Sequence, residues 1–192
     1  MITDAYKEQL EQLHRESERW GSTAHRYASI VNDLAARHAV RTILDYGCGK
    51  QALAANLAGA PYKIIGYDPG IPGVNSLPSD PCDMVVSCDV LEHIEPEHLD
   101  SVLVSMEARA RKVIFLVIAL YAVDRKLPDG RGVHLIVETA DWWLAKLAER
   151  MPGWKVEVLS EPPQPPVYDH TGRERKRKSA LRVVLTRRIE GV

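Results

Sequence analysis

The sequence predicts a single α/β domain over residues 1–192, in which helices cover both faces of a doubly wound, mostly parallel sheet. Three observations support this class. From residue 42 onward, short apolar segments alternate with amphipathic ones, as in successive strand–helix–strand units with right-handed crossovers. The segment 113–122 is apolar almost throughout, which is typical of a strand buried on both faces. The last two strand-like segments have no helix between them, which predicts an antiparallel last strand.

The first 40 residues are predicted to form a helical cap ahead of a core at 41–192. Residues 4–19 are mostly polar, with Tyr6, Leu10 and Leu13 on one helical stripe. Residues 20–23 break this pattern, and Ser22 or Thr23 is expected to cap the amphipathic helix that follows at 24–38.

The core segments follow in chain order. Strands are predicted where apolar, β-branched runs end at turn residues, at 42–46, 63–67, 83–87, 112–119, 154–159 and 180–187. Helices are predicted where apolar residues recur at helical spacing, at 51–58, 97–109 and 139–150. The Pro-, Gly- and Ser-rich segment 70–81 and the segment 122–133 predict loops.

Composition narrows the function classes. The formal net charge is -1, so no overall field favours nucleic acid or a membrane surface. Three cysteines without a Cys-x-x-Cys pair are a poor basis for a disulfide framework and indicate a reducing compartment. The polar N-terminus is unlike a secretory signal, and the longest apolar run is too short to span a bilayer. We therefore expect a cytoplasmic protein.

Glycines follow the first predicted strand, where doubly wound sheets bind their ligands. Gly47 and Gly49 allow a tight turn and a close approach of ligand to backbone. Asp68 ends the second strand and is placed to accept hydrogen bonds from both hydroxyls of a ribose. The run 47–52 also fits the dinucleotide fingerprint G-x-G-x-x-A. A nicotinamide-dependent oxidoreductase and a purely structural turn therefore stay open at this point.

Asp45 helps to separate these alternatives. It lies just before the glycine turn, where a carboxylate is unfavourable beside an anionic pyrophosphate. A cofactor that carries an ammonium and a sulfonium group would instead be attracted by it. The segment 88–94 adds a second acidic cluster at the same rim. The charge pattern therefore favours a cationic nucleoside over a dinucleotide.

Three segments, in order, resemble the motifs of class I S-adenosylmethionine-dependent methyltransferases. Residues 43–49 (ILDYGCG) resemble the first motif, 65–68 (IGYD) the second, and 83–94 (DMVVSCDVLEHI) the segment around the fourth strand. The last resembles the small-molecule branch with a Val-Leu-Glu-His core. The resemblance extends over about 42–119, and the tail from residue 154 fits the reversed last strand of the family. It implies a Rossmann-like sheet and methyl transfer from S-adenosylmethionine.

The resemblance also implies a set of cofactor-binding residues. They are Asp45, Tyr46, Gly47, Cys48, Gly49, Asp68, Pro69, Cys88, Asp89 and Val90. Asp45 and the backbone of 47–49 would hold the methionine moiety, and Asp68 would hold the ribose hydroxyls. Cys88 and Asp89 would line the cofactor near its methionine end.

Two departures from the family pattern carry expectations of their own. Gln51 stands where many members have another glycine, so the turn is expected to differ slightly. Members of the family fit a helix and a short strand between the second motif and the next strand, but here only a loop-like segment is available. The third strand is therefore expected to be trimmed or missing, and Pro69, Gly70 and Ile71 are expected to line the adenine pocket instead.

Catalysis needs few groups, because the cofactor is already activated and alignment supplies much of the acceleration. A base is required only if the acceptor must lose a proton early. His93 and His134 are the candidate catalytic residues, although a structural role for His93 at a helix start stays open. His134 and Trp20 are the candidates for acceptor contact. Trp20 and Tyr6 precede the first strand, where members of the family often place a cap over the cofactor.

A small-molecule acceptor is predicted. No Asn-Pro-Pro-Tyr or Asp-Pro-Pro-Tyr motif follows the third predicted strand, which argues against base N-methylation of that kind. A nucleic acid or nucleotide-linked acceptor stays an alternative because of one basic run, although a solvated turn that keeps an edge strand from pairing wrongly is the favoured explanation of that run. Its members are Arg173, Arg175, Lys176, Arg177 and Lys178. A non-catalytic nucleoside-binding module is a third possibility.

No metal site is expected. His93 and His98 are not four residues apart, and Pro96 lies between them, so they do not form a helical pair of ligands. Cys48 and Cys88 could come close in space, but two ligands are too few for a structural zinc site.

Overall fold

The structure, a computed structural model, describes residues 2–159 and 179–188. Its helices are α1 (Asp4–Glu16), α2 (Ala28–Arg37), α3 (Ala52–Asn56), α4 (Leu99–Ala108) and α5 (Ala140–Arg150). Short 3-10 turns span Ala24–Tyr27, Leu91–His93 and Pro96–His98. The strands are β1 (Thr42–Tyr46), β2 (Lys63–Tyr67), β3 (Cys82–Cys88), β4 (Ala110–Ala119), β5 (Trp154–Val158) and β6 (Ala180–Arg187). In the part of the chain described, no helix combines the length and apolar character needed to cross a bilayer.

The described strands form one six-stranded sheet in the order β2-β1-β3-β4-β6-β5. Strands β1 to β4 run parallel to one another, and β6 runs antiparallel to both β4 and β5. The predicted mostly parallel, Rossmann-like sheet with a reversed last strand is confirmed. The chain reverses its direction of winding at β1, so β1 and β3 border the switch point where ligands of such sheets bind.

The expectation of a missing third strand is also confirmed. Among the described residues between β2 and β3 there is neither a strand nor a helix, so β2 is an edge of the sheet. A compact turn takes this place: the N–H of Asp68 donates to the carbonyl of Val74, and the N–H of Val74 donates to the carbonyl of Ile71. The second motif therefore ends in a short turn rather than in a full strand–helix unit.

The sheet is covered on both faces, as its apolar strands require. One face packs against α4 and α5, where Met106 and Trp143 are completely buried. The other face packs against α2, through Val31 and Leu34. The interior of β4 is buried throughout, as expected for a strand covered on both faces.

The helix α1 packs across the carboxyl ends of the strands. Its buried residues Tyr6 and Leu13 form a small apolar cluster with Leu127 and Val133 of the loop after β4. The Thr3 hydroxyl caps α1 by accepting from the N–H of Tyr6 (3.2 Å). The helix ends at Glu16 rather than at residue 19, because the chain becomes extended at residue 17. The helix α1 therefore covers the edge of the sheet at which the site is expected.

A substitution at Gly70 tests how tightly α1 packs on the loop after β2. A Cβ at this position would lie 2.8 Å from the Cβ of Leu10 in α1 and 3.1 Å from the Leu10 carbonyl carbon. We expect Gly70→Ala to push α1 away and to lower the free energy of unfolding by about 1–3 kcal/mol. Chemical denaturation measures this loss, and limited proteolysis shows whether α1 is released first.

Gly153→Ala is the matched control, since a Cβ at Gly153 meets nothing within 4 Å. Equal unfolding free energies for the two alanine variants would contradict the tight packing of α1 on Gly70.

Candidate functional site

A cavity of about 370 Å³ lies at the carboxyl ends of the parallel strands, beneath α1. It is bounded by the turn after β1, the turn after β2, the segment after β3 and the loop after β4. The predicted site residues among those lining it are Trp20, Tyr46, Gly47, Asp68, Pro69, Cys88, Asp89, Val90, His93 and His134. Residues from distant parts of the chain meet here because parallel strands end at the same edge of the sheet.

The glycine turn after β1 has the conformation that its sequence predicts. Gly47 and Gly49 both have positive φ, of 81° and 49°. The N–H groups of Gly47 and Cys48 both donate to the carbonyl of Tyr67 at the end of β2, at 2.7 and 3.0 Å. A Cβ at Gly47 would lie 2.3 Å from a methyl of Val90, so any other residue would have to displace the Val90 side chain.

Not every residue of this turn faces the cavity. Cys48 and Gly49 are absent from its lining. The Cys48 thiol instead lies against Gly66, and Gly49 lies against Gly21, at the end of the cap. Gly47 of this turn therefore borders the cavity, while Cys48 packs against β2 and Gly49 packs against the end of the cap.

Asp68 lies on the wall of the cavity and is held by two backbone donors. Its Oδ2 accepts from the N–H of Gly49 (3.0 Å), and its Oδ1 accepts from the N–H of Gly70 (2.9 Å). His14 of α1 places its Nε2 3.6 Å from Oδ2. Burial lowers the pKa of His14 although the charge of Asp68 opposes this, so the ring is mainly neutral near pH 7.

The expected adenine-pocket residues separate in the structure. Pro69 lines the cavity, whereas Gly70 is packed under Leu10 of α1, and Ile71 is not part of the lining.

Asp45 lies behind the cavity rather than on its wall. It is 1% exposed, and its Oδ2 has no hydrogen-bond partner among the described residues. Burial, with a smaller contribution from the charge of Asp68, raises the pKa of Asp45 to about 7. Its predicted contact with the methionine moiety stays a prediction, and in this conformation the carboxyl is one layer below the surface that a ligand would touch.

The last residue of β3, Cys88, and the next two residues, Asp89 and Val90, line the cavity. Asp89 has φ 56°, an unusual conformation for a residue with a side chain. Its Oδ2 accepts a hydrogen bond from the hydroxyl of Thr23 (2.9 Å). Thr23 occupies the predicted N-cap position, but its side chain makes no cap hydrogen bond and its hydroxyl donates to Asp89. Ser22 donates to the carbonyl of Arg19.

His93 and His134 meet at the other end of the cavity, with ring centroids 4.8 Å apart and ring planes at 84°. Nδ1 of His93 is 2.6 Å from the carbonyl oxygen of Val133, and Nδ1 of His134 is 2.5 Å from that of Tyr121. A carbonyl only accepts, so each Nδ1 carries a proton and the lone pair of each ring is on Nε2. Burial lowers the pKa of His93 to about 4, so its ring is neutral at physiological pH.

Glu92 joins this pair, a feature that sequence reasoning missed. The carboxylate and the two imidazoles offer ligand atoms that all lie within 4.8 Å of one another. The expectation of no metal site considered His93 with His98. The structure instead places Nε2 of His98 4.0 Å from Oε2 of Glu95. His134 is too far from Glu92 in sequence for any spacing rule to join them, so only the path of the loop after β4 reveals the cluster.

The predicted cap residues lie close to the histidines. The indole of Trp20 stacks edge-to-face on His93 with centroids 5.1 Å apart, and the Arg125 guanidinium lies 4.8 Å from the Trp20 ring centroid. The hydroxyl of Tyr6 donates to the carbonyl of His93 (2.5 Å). His14, the other residue missed at this site, was predictable, because it lies one helical turn after Leu10 on the same face of α1.

The basic run, Arg173, Arg175, Lys176, Arg177 and Lys178, lies outside the described residues.

Comparison with known proteins gives a family match over most of the chain. The sequence profile described as a methyltransferase domain matches residues 17–162. No curated protein sequence matches the chain. The profile includes the glycine turn, Asp68, the segment after β3 and the loop that carries His134, and it decides against a nicotinamide-dependent oxidoreductase.

Solved structures share the fold at low sequence identity. The structure of a DhpI–SAH complex is 17% identical, with a TM-score of 0.60 over 95% of this chain and 96% of that chain. The Burkholderia thailandensis 1,6-didemethyltoxoflavin-N1-methyltransferase, with 1,6-didemethyltoxoflavin and S-adenosylhomocysteine bound, is 16% identical, with a TM-score of 0.60 over 97% and 91% of the chains. The small RNA methyltransferase HEN1 is 15% identical (TM-score 0.59); the match covers 87% of this chain and 25% of that one.

Proposed function

The chain belongs to the class I S-adenosylmethionine-dependent methyltransferase family, and from that premise we propose that it methylates a small-molecule acceptor held between the glycine turn and the His93–His134 pair. One observation carries this proposal. A single cavity joins the residues expected to hold the cofactor with a pair of imidazoles, and α1 covers both ends. A methyl donor and its acceptor must share one enclosed space, because the transfer is an in-line displacement that depends on alignment.

The cofactor end of this proposal rests on Asp68 and the backbone around it. An ionised carboxylate has about four acceptor positions. The N–H groups of Gly49 and Gly70 use two of them, and they orient the carboxylate for the ribose hydroxyls. Gly47 then borders the methionine moiety, with Cys88 to Val90 beside it and Pro69 next to adenine. Asp45 lies behind this wall, where the positive charges of a bound sulfonium and ammonium group would favour its ionised form.

The acceptor end is small and mixed in character. The whole cavity, cofactor end included, has a volume of about 370 Å³, which is near the lower limit of typical small-ligand sites. Trp20 and Tyr121 supply aromatic walls, and His93 and His134 supply polar contacts. His93 is a weak base because of its lowered pKa, so we assign it to positioning the acceptor. His134 is the residue that we propose to contact the reacting group.

The similar solved structures include methyltransferases for a small molecule and for RNA, so their likeness does not decide the acceptor. The cap favours a small molecule. Residues Tyr6, Leu10 and Trp20 line the cavity from the side of the cap, which leaves little room for a polynucleotide to lay a base or ribose beside His134.

A methyl-transfer screen tests this proposal. The full chain is incubated with S-adenosylmethionine and with separate pools of phenols, enols, carboxylic acids, amines, mixed RNA and DNA, and S-adenosylhomocysteine release is measured. We expect release with at least one small-molecule pool, and a strong reduction of it in His134→Ala. His25→Ala, which changes an exposed histidine outside the cavity, is the matched control. Methylation of RNA or DNA alone would overturn the small-molecule proposal.

A further inference from the structure

The segment after β3 and the loop after β4 bring three potential metal ligands to one point of the cavity wall. They are the carboxylate of Glu92 and the imidazoles of His93 and His134. Two donor atoms bound to one ion at about 2.1 Å lie roughly 3–4 Å apart. The ligand atoms here all lie within 4.8 Å of one another, so rotamer adjustments of about 1 Å would bring them to bonding distance.

Both imidazoles are prepared for such a role by their backbone contacts. The Nδ1–H groups of His93 and His134 donate to the carbonyls of Val133 and Tyr121, so Nε2 carries the lone pair in each ring. A backbone carbonyl on the far nitrogen is the usual support for a metal-binding histidine, because it sets both the tautomer and the ring orientation. The two rings pack edge to face, with centroids 4.8 Å apart and ring planes at 84°.

Glu92 supplies an independent observation that points to a ligand. It is completely buried, and its Oε1 accepts from the N–H of Ala119 (3.2 Å). Its Oε2 is also buried but has no hydrogen-bond partner among the described residues. None of the ion pairs within the described residues involves Glu92. A buried carboxyl oxygen without a partner is unfavourable, and a cation would supply the missing partner.

Two backbone hydrogen bonds hold the loop that carries His134 against Glu92. The backbone carbonyl of Glu92 accepts from the N–H groups of Leu135 and Ile136, at 2.8 and 3.0 Å. The hydroxyl of Tyr6 holds the carbonyl of His93 from the side of α1. The three side chains are therefore positioned by backbone hydrogen bonds from both directions, which is the preorganisation that a metal site needs.

We propose that Glu92, His93 and His134 bind one divalent transition-metal ion on the wall of the cavity. Two imidazole nitrogens and one carboxylate oxygen suit Zn²⁺, Mn²⁺, Fe²⁺ or Co²⁺, whereas Mg²⁺ and Ca²⁺ prefer ligand sets made entirely of oxygen. Three protein ligands leave coordination positions for a small molecule, as in catalytic rather than structural sites.

This site deepens the proposed function, on which the following step rests. With the ion bound, His134 contacts the acceptor through the metal, and the acceptor class is an oxygen nucleophile. A hydroxyl that reaches the ion has a lowered pKa and loses its proton to solvent more readily. The oxygen lone pair then forms the bond to the methyl carbon, and sulfur keeps the electron pair of the broken C–S bond. Phenols, enols and diols are the acceptors that would use this arrangement.

Cobalt titration tests the site without any acceptor. The tag-free full chain is treated with EDTA, dialysed and titrated with CoCl₂, and the visible d–d absorption of bound Co²⁺ is recorded. We expect one ion per chain, displaced by Zn²⁺. Glu92→Gln, His93→Gln and His134→Gln should each weaken Co²⁺ binding by roughly tenfold or more.

His25→Gln is the matched control, since His25 also has Nδ1 near a backbone carbonyl (2.8 Å from that of Ser22) but is exposed outside the cavity. Thermal melting checks that the variants are folded, and Glu92→Gln is the isosteric variant least disturbing to the core. Folded Gln variants that bind Co²⁺ as tightly as His25→Gln, or a wild-type chain that binds none, would overturn the metal site.

Methyl transfer to an acceptor from the screen is then compared with and without bound Mn²⁺ or Zn²⁺. A metal-dependent rate supports the oxygen-nucleophile assignment. Tight Co²⁺ binding with a metal-independent rate would overturn the metal's part in catalysis and leave the site standing. Methyl transfer by a chain that binds no metal would overturn the metal site and leave the proposed function standing.

Discussion

Replacement of Asp68 by alanine is expected to weaken S-adenosylhomocysteine binding by about 2 kcal/mol, which corresponds to roughly thirtyfold in Kd. The carboxylate is the acceptor that we assign to the ribose hydroxyls, and hydrogen bonds to an ionised group are stronger than neutral ones. Alanine also leaves the N–H groups of Gly49 and Gly70 without their acceptor, so the turn loses order at the same time. Isothermal calorimetry measures the affinity directly.

Two further variants make this measurement specific. Asp68→Asn keeps the shape and one acceptor oxygen, so an intermediate affinity is expected. Asp80→Ala removes an exposed carboxylate from the same loop and should bind like the wild type. An Asp68→Ala variant that binds S-adenosylhomocysteine as tightly as Asp80→Ala would show that the ribose lies elsewhere.

Replacement of Asp45 by asparagine is expected to change the pH dependence of stability on the order of 4 kcal/mol. Burial and the charge of Asp68 raise the pKa of Asp45 to about 7 in the folded chain, whereas the ordinary value is 3.8. Between these pH values the folded chain holds a proton that the unfolded chain has released. The stability of the wild type therefore falls as pH rises from about 4 to about 7, and the contribution is lost above that range.

Asparagine cannot ionise, so Asp45→Asn should gain stability relative to the wild type as pH rises through this window. Urea denaturation at pH 5, 6, 7 and 8 follows the difference between the two proteins. Asp33→Asn, in the exposed face of α2, is the matched control and should show no such trend. A constant difference between Asp45→Asn and the wild type across the series would mean that Asp45 is already ionised in the fold.

The local sequence pattern predicts the bounds of the strands better than the ends of the helices, which depend on tertiary contacts. The strands at 42–46, 63–67 and 180–187 have the predicted bounds, because apolar runs between turn residues have few alternatives to a buried strand. Helix ends agree less well. Thr23 has the composition of a helix cap but donates to Asp89, a partner 66 residues away, and the second helix begins as a 3-10 turn.

By itself the sequence determined the class of fold, the trimmed third strand, and the convergence of Gly47, Asp68 and the segment after β3. These follow from chain order, because parallel strands place their carboxyl ends at one edge whatever the details of the loops. Only the tertiary structure decided that Asp45 lies behind the cavity wall, and that Glu92, His93 and His134 share one point on it. Such contacts depend on side-chain direction and on the path of a long loop, which hydrogen bonds and packing select after the strands are in place.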